Sequence, residues 1–392
     1  MTSSSLSARL ILNHCSLFDG VSETLLADRC LIVENGRIAA IEAHPQPGGL
    51  DMTGCTVLPG FVHAHCHPGF KHQAGEDLPA YDVDYLRAAL GAGITTMRDM
   101  GALNASAPED VLAARDARNR HGDGPRLLSP GKFLAAPGGY GGVAPLPVDS
   151  PKSAAEAVRR LARAGADFIK TSLEWGMDPS TYGLPVLSPE LLGAICDAAH
   201  TEGLRVSAHA TQTQPLRTLV DAGLDDAAHV PYEPMDDALI ADMVAQGVTL
   251  TPTLSVHRMI AEKYGAPVLG TALDNVRRFH MAGGTLVVGD DFLEQEAPWF
   301  LPGLPWGELE LLAQAGLSNT AILRALTHGS AAACGRAQEI GALRPGMAAD
   351  LVAVHGDPLH SLECLRAVAL VVLSGHIVRR SPALSSSDTL PR

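Results

Sequence analysis

Eight short apolar runs recur through the middle of the chain, at 61–65, 94–98, 126–131, 167–171, 205–209, 225–229, 248–254 and 285–290. Between most of them lie Ala/Leu/Arg-rich stretches with helical spacing, such as Ala154 to Ala164, Pro189 to Glu202 and Asp236 to Ala245. Apolar residues recurring every three or four positions mark one face of a helix. Pro189 suits a first helical turn, where its missing N–H would be unsatisfied anyway. Strands that alternate with helices pair in parallel through βαβ crossovers. Eight such units predict an α/β chain closed into a (β/α)8 TIM-like barrel, with its functional groups at the C-terminal ends of the strands.

The two ends of the chain read differently. LILNHCSLF (10–18), CLIVENGRIAAIEAH (30–44) and DMTGCTVLPG (51–60) are short segments rich in β-branched and aliphatic residues. Asn35-Gly36 between two apolar runs is the strongest short hairpin signal a sequence offers. DLVAVHGD (350–357) and VALVVLSGHIVRR (368–380), with a turn at Ser374-Gly375, repeat the pattern. We therefore expect a small β-sandwich composed of residues 8–58 and 337–380, a barrel over 59–336, and Ser-rich tails at 1–7 and 381–392.

Charge limits the partners. With 29 Lys and Arg against 43 Asp and Glu, the formal charge is −14, which argues against nucleic acid or an anionic membrane. No run of about 18 apolar residues occurs, and Met1 to Leu10 lacks the apolar core of a signal peptide. A cytoplasmic address is the expectation. Seven dispersed cysteines without a CxxC pair read as reduced, mostly buried residues.

Chemistry-bearing residues fall at the same end of several runs. The first ends in His63-Ala64-His65-Cys66-His67. Alternate residues of a strand share a face, so the three histidines project together and Cys66 points away. One buried histidine is usually satisfied by backbone partners, but several neutral imidazoles on one face need a shared partner, most often a metal. Lys170 closes the run 167–171, His209 and His229 close the next two, and Asp290-Asp291 follows 286–289. Lys170 to His209 is 39 positions and His209 to His229 is 20, each one βα unit, while His229 to Asp291 is 62, or two units. Only the C-terminal ends of barrel strands converge on one point.

These segments resemble the metal-dependent amidohydrolase superfamily. PGFVHAHCH (59–67) is similar to its HxH signature. GITTMRDMG (93–101), GPRLLSPG (124–131), GADFIKT (165–171), VSAHA (206–210), AAHV (227–230), VTLTPTL (248–254), VVGDD (287–291) and IGALRPGMAADLVAV (340–354) follow in the family's order. The branch resembled is the Xaa-Pro and Xaa-Arg dipeptidase-like enzymes related to imidazolonepropionase. The resemblance implies hydrolysis of a C–N, amide-type bond of a small molecule at a binuclear site. His65 and His67 would bind the first metal, and a CO2-derived carbamate on Lys170 would bridge both. His209 and His229 would hold the second, and Asp291 would bind the first and act catalytically as proton acceptor. Such donors suit zinc, and also manganese or cobalt.

Three departures accompany the resemblance. His63 stands where the family usually has Asp, the common GTD is GDD (Gly289-Asp290-Asp291), and the frequent GGHG is Gly138-Gly139-Tyr140-Gly141. His63 and Asp290 are then expected to support the ligands. Tyr140, Trp175, Tyr182 and Tyr232 are expected to line the substrate pocket, and a homo-oligomer is compatible with the chain. The competing readings are a mononuclear cyclic-amide hydrolase or deaminase similar to imidazolonepropionase, and a non-catalytic scaffold barrel.

Overall fold

The structure is a computed structural model that describes residues 9–68, 81–101, 106–142, 144–174, 181–291, 301–382 and 384. The expected tail 1–7 and most of 381–392 lie outside these residues.

The chain ends meet in one sheet. Leu10–Leu17, Leu26–Glu34, Arg37–Glu42, Leu50–Asp51 and Cys55–Pro59 join Leu351–His355, Val368–Leu373 and His376–Arg380 in eight strands. The seam is antiparallel, with Val352 opposite Leu58. Both expected hairpins form: Asn35 and Gly36 (φ 52° and 74°) and Ser374 and Gly375 (φ 50° and 83°) hold the paired positive φ of two-residue turns. Leu12, Leu31, Val33, Val57, Leu351, Leu370 and Val372 bury one shared core. At about 1.5–3 kcal/mol per buried aliphatic side chain, that core ties the two ends together. In hydrogen-bonding terms the expected sandwich is thus a single sheet wrapped around this core.

The middle alternates strand and helix. Phe61–Cys66, Ile94–Asp99 and Arg126–Leu128 pair in parallel, and a second parallel sheet runs Leu146–Pro147, Phe133–Ala135, Ile169–Ser172, Val206–His209, Asp226–Ala228, Thr249–Thr251. The helices between them start and stop as their sequences dictate. Ser150 caps Pro151–Ala164, which Gly165 ends in the left-handed conformation, and Ser188 caps Pro189–Thr201. Backbone bonds connect the two sheets at both margins. Asp167 N donates to Ser129 O (3.0 Å) on one side; on the other, Val287 N donates to Leu250 O (3.0 Å) and Ala64 N to Val288 O (2.8 Å).

Two expected runs behave differently. The run 126–131 forms a strand only to Leu128, and an unanticipated strand, Phe133–Ala135, lies beside Ile169–Ser172. The run 285–290 contributes one parallel bridge, Leu286 to Leu250, and no ladder. Its Val288 N donates instead to Ser330 Oγ (3.0 Å). Its Gly289 lies so close to the histidine strand that a Cβ there would sit 2.4 Å from that of His65. Among the described residues, no helix is long and apolar enough to cross a membrane.

Candidate metal centre

Four imidazoles form a continuous group where the parallel strands end. The ring centroids of His67 and His65 are 5.9 Å apart, those of His65 and His229 4.9 Å, and those of His229 and His209 4.5 Å. Asp291 closes the group: its Oδ1 lies 2.9 Å from His65 Nε2 and 3.0 Å from His67 Nε2. Ligand atoms of these three residues fall within 4.8 Å of one another, a spread that one cation can draw together.

Consecutive residues Asp290 and Asp291 both reach the histidine strand, which regular alternation forbids. Asp291 has φ +56°, so the extended backbone has already ended, and Asp290 Oδ1 reaches His63 Nε2 at 3.0 Å without hydrogen-bond alignment. His63 therefore belongs with Asp290. Three non-glycine residues around the centre, His229 (φ +82°), Thr253 (φ +48°) and Asp291, hold left-handed backbones. Such conformations cost about 1–3 kcal/mol each and concentrate at functional sites.

Second contacts orient the rings. His209 Nε2 is 2.9 Å from Glu174 Oε2, which also accepts from Thr211 Oγ1 (2.8 Å). His229 Nδ1 is 2.7 Å from Thr253 Oγ1, and His67 Nδ1 is 3.3 Å from Gly101 O. With those nitrogens engaged, His209 Nδ1 and His229 Nε2 are left for another partner.

Lys170 is 1% exposed, and its side-chain nitrogen has no hydrogen-bond partner among the described residues. Burial pushes it down to about 7. Burial likewise pulls His65 down to about 3 against the pull of Asp291, and pulls His229 well down. Neutral imidazoles are the form that binds metal. For His67 the Asp291 carboxylate outweighs burial and raises the ring, while His65 and its neighbours hold Asp291 well below the carboxylate range despite burial. A buried amine without a hydrogen-bond partner among the described residues, beside the neutral His65 and His229 rings and the ionised Asp291 carboxylate, fits a cationic ligand.

Beneath the centre lies a buried ion pair. Arg98 Nη2 donates to Asp226 Oδ2 (2.6 Å), Arg98 Nε to Ala64 O (2.6 Å), and Nη1 to Ala333 O (3.2 Å). Asp226 also accepts from Ser207, Thr249 and Thr251. Burial opposes its ionisation, but Arg98 and these hydroxyls hold it at about 2. The pair thus fixes the backbone between His63 and His65 against four other strands. Breaking such a pair generally costs about 3–5 kcal/mol, because the survivor is left charged and dry.

Of the expected pocket residues, the Tyr140 ring lies 4.9 Å from His209, and its carbonyl accepts from Ser172 Oγ. Tyr232 OH is 2.5 Å from Gln212 Nε2, and Tyr182 is 61% exposed. Trp175 lies outside the described residues. Cys66 is buried in the main apolar core, as expected, and its thiol donates to Arg98 O (3.6 Å). All seven cysteines are unpaired. Sequence reasoning missed Glu174, Thr253 and the Arg98–Asp226 pair. Glu174 was within reach, since it follows Lys170 by four positions at the same strand end.

Residues 56–378 match the model of the Amidohydrolase family. An uncharacterized protein of Mycobacterium tuberculosis is 33% identical over 205 residues, 51% of this chain and 51% of that protein. The chain thus spans about half the length of that relative. The imidazolonepropionase of Salinispora arenicola is 26% identical over 352 residues, 82% of this chain and 84% of its own. A solved Xaa-Pro dipeptidase with bound methionine in the active site superposes with a TM-score of 0.81 at 23% identity, covering 94% of this chain and 99% of that one. That likeness carries the fold: an α/β chain of parallel sheets with an added β domain.

Proposed function

The chain belongs to the amidohydrolase family, and from that premise we propose that it hydrolyses a C–N, amide-type bond of a small molecule at a binuclear metal site. The observation that carries the reading is the continuous group of four imidazoles with Asp291, beside a Lys170 amine that has no hydrogen-bond partner among the described residues. His65, His67 and Asp291 would hold one divalent cation, His209 and His229 a second, and carboxylated Lys170 would bridge them. When bound, the cations, zinc first and manganese or cobalt by the same donor chemistry, supply Lewis acidity and lower the pKa of a bound water to about 7.

The chain's own residues do the rest. Asp291 accepts a proton at its carboxylate and passes it to the leaving nitrogen, which is otherwise expelled poorly. Glu174 and Thr253 fix the ring orientations of His209 and His229, and Asp290 supports His63. A neutral Lys170 Nζ attacks CO2, forming an N–C bond and releasing a proton, and the carbamate carries a charge of −1. Tyr140, Tyr182, Tyr232 and Trp175 would contact the substrate. We read the two parallel sheets as arcs of one ring of eight βα units over 59–336, closed through 285–291, with Phe133–Ala135 and Leu146–Pro147 as strands added to it and with 8–58 and 337–380 forming the β domain.

One observation favours a mononuclear, cyclic-amide reading: among the described residues only His65, His67 and Asp291 cluster within 4.8 Å, and imidazolonepropionase resembles most of the chain. Lys170 separates the two, because a bridging carbamate has no task at a single metal. The test is to strip metal with a chelator and assay amides, N-acyl amino acids, dipeptides, carbamates and cyclic ureas before and after returning zinc, manganese or cobalt. Hydrolysis of at least one class should appear only on return of metal. Turnover that survives complete metal removal would refute the reading.

A further inference from the structure

Helix Leu254–Tyr264 starts without the usual cap. Its N-cap residue, Thr253, makes no side-chain bond to the helix's first N–H groups. Its hydroxyl is spent on His229 Nδ1, 2.7 Å away. Its backbone is left-handed at φ +48°, which for a β-branched residue persists only when the surroundings over-determine it. The first N–H groups of a buried helix still need acceptors.

Glu308 supplies them from another helix, Trp306–Gln314. It is 0% exposed. Its Oε1 accepts from Leu254 N (2.9 Å), and its Oε2 from Ser255 N (2.8 Å) and Ser255 Oγ (2.8 Å). Burial pushes this carboxyl up to about 8 against the pull of those donors, so holding it there is costly. A polar residue kept in a dry interior at such cost marks a position whose geometry matters.

We propose that Glu308 is a positioning residue for the metal centre: by capping the helix in place of Thr253, it frees and fixes the Thr253 hydroxyl as the acceptor for His229 Nδ1–H. His229 is then held in the tautomer that offers Nε2 to the site. The proposal rests on His229 being a metal ligand, as assigned above. It adds a remote helix as the part that sets this ligand's orientation. Outer partners of this kind commonly carry about 10–100-fold in metal affinity.

In Glu308→Gln one acceptor oxygen becomes an NH2 group facing a donor, so the cap is broken with little change of shape. The full-length protein is compared with Glu308→Gln, Thr253→Val and Thr253→Ser by zinc titration calorimetry and by 15N NMR of the histidine rings in metal-free protein. Wild type and Thr253→Ser should show His229 protonated at Nδ1. Glu308→Gln and Thr253→Val should show mixed tautomers and a second zinc site weakened at least tenfold. If either of those variants melts earlier yet keeps the wild-type tautomer and zinc affinity, Glu308 is a helix cap alone and the proposal falls. Should Glu308→Gln fail to fold, Ser255→Ala, which removes one of the three donors, carries the same two readouts. A wild type that binds no zinc would sink the metal assignment, whereas the metal-free tautomer still decides the role of Glu308.

Discussion

Asp291→Asn is expected to lower kcat by about 10²-fold or more while leaving most of the bound metal in place, the scale set by losing one general acid–base group. Asn keeps the side chain's shape but cannot take up the proton that the leaving nitrogen needs. Asp291 is the carboxylate shared by His65 and His67, at 2.9 and 3.0 Å, and its surroundings keep it ionised and able to accept. His65 and His67 remain to hold a cation when it is lost. Asp290 faces His63, so Asp290→Asn should act more mildly, through KM or metal affinity. Steady-state kinetics with metal analysis on both variants decides the matter. If Asp290→Asn is the dead variant and Asp291→Asn is near normal, the proton acceptor is one residue earlier than assigned here.

Lys170→Ala is expected to abolish activity and to weaken the second metal, with partial recovery in added acetate or propionate. The amine is buried, lacks a hydrogen-bond partner among the described residues, and is pushed down to about 7, so a nucleophilic neutral fraction exists at ordinary pH. Deleting the side chain leaves a space where a small carboxylate can stand in for the carbamate. An active Lys170→Ala protein with unchanged metal content would show that Lys170 only fills space beside the Arg98–Asp226 pair.

Much of this was legible from residue order because the decisive patterns are periodic. Alternation at His65 and His67 and the one-unit spacings to His209 and His229 follow from strand and βα-unit geometry. That geometry is local, so short-range spacing reports it. The strand Phe133–Ala135 was hidden because Pro130-Gly131 reads as a stop, and the chain resumes as strand three residues after Pro130. The run at 286–289 looks like any barrel strand, yet its ladder is replaced by a close approach to His65 and by Ser330, neither of which neighbouring residues announce. The positions of Asp290 and Asp291 depended on a left-handed residue that alternation cannot foresee. Arg98–Asp226, 128 positions apart, and Glu308, 53 from Ser255, act through tertiary contacts with no sequence periodicity.

The most direct test of the binuclear assignment is the metal content of the purified protein, by elemental analysis of a sample saturated with zinc and freed of excess. Four imidazoles, Asp291 and a carboxylated Lys170 exceed what one tetrahedral ion uses, and the account predicts close to two zinc ions per chain, with activity rising until both are present. One zinc per chain at saturation, with full activity, would contradict it.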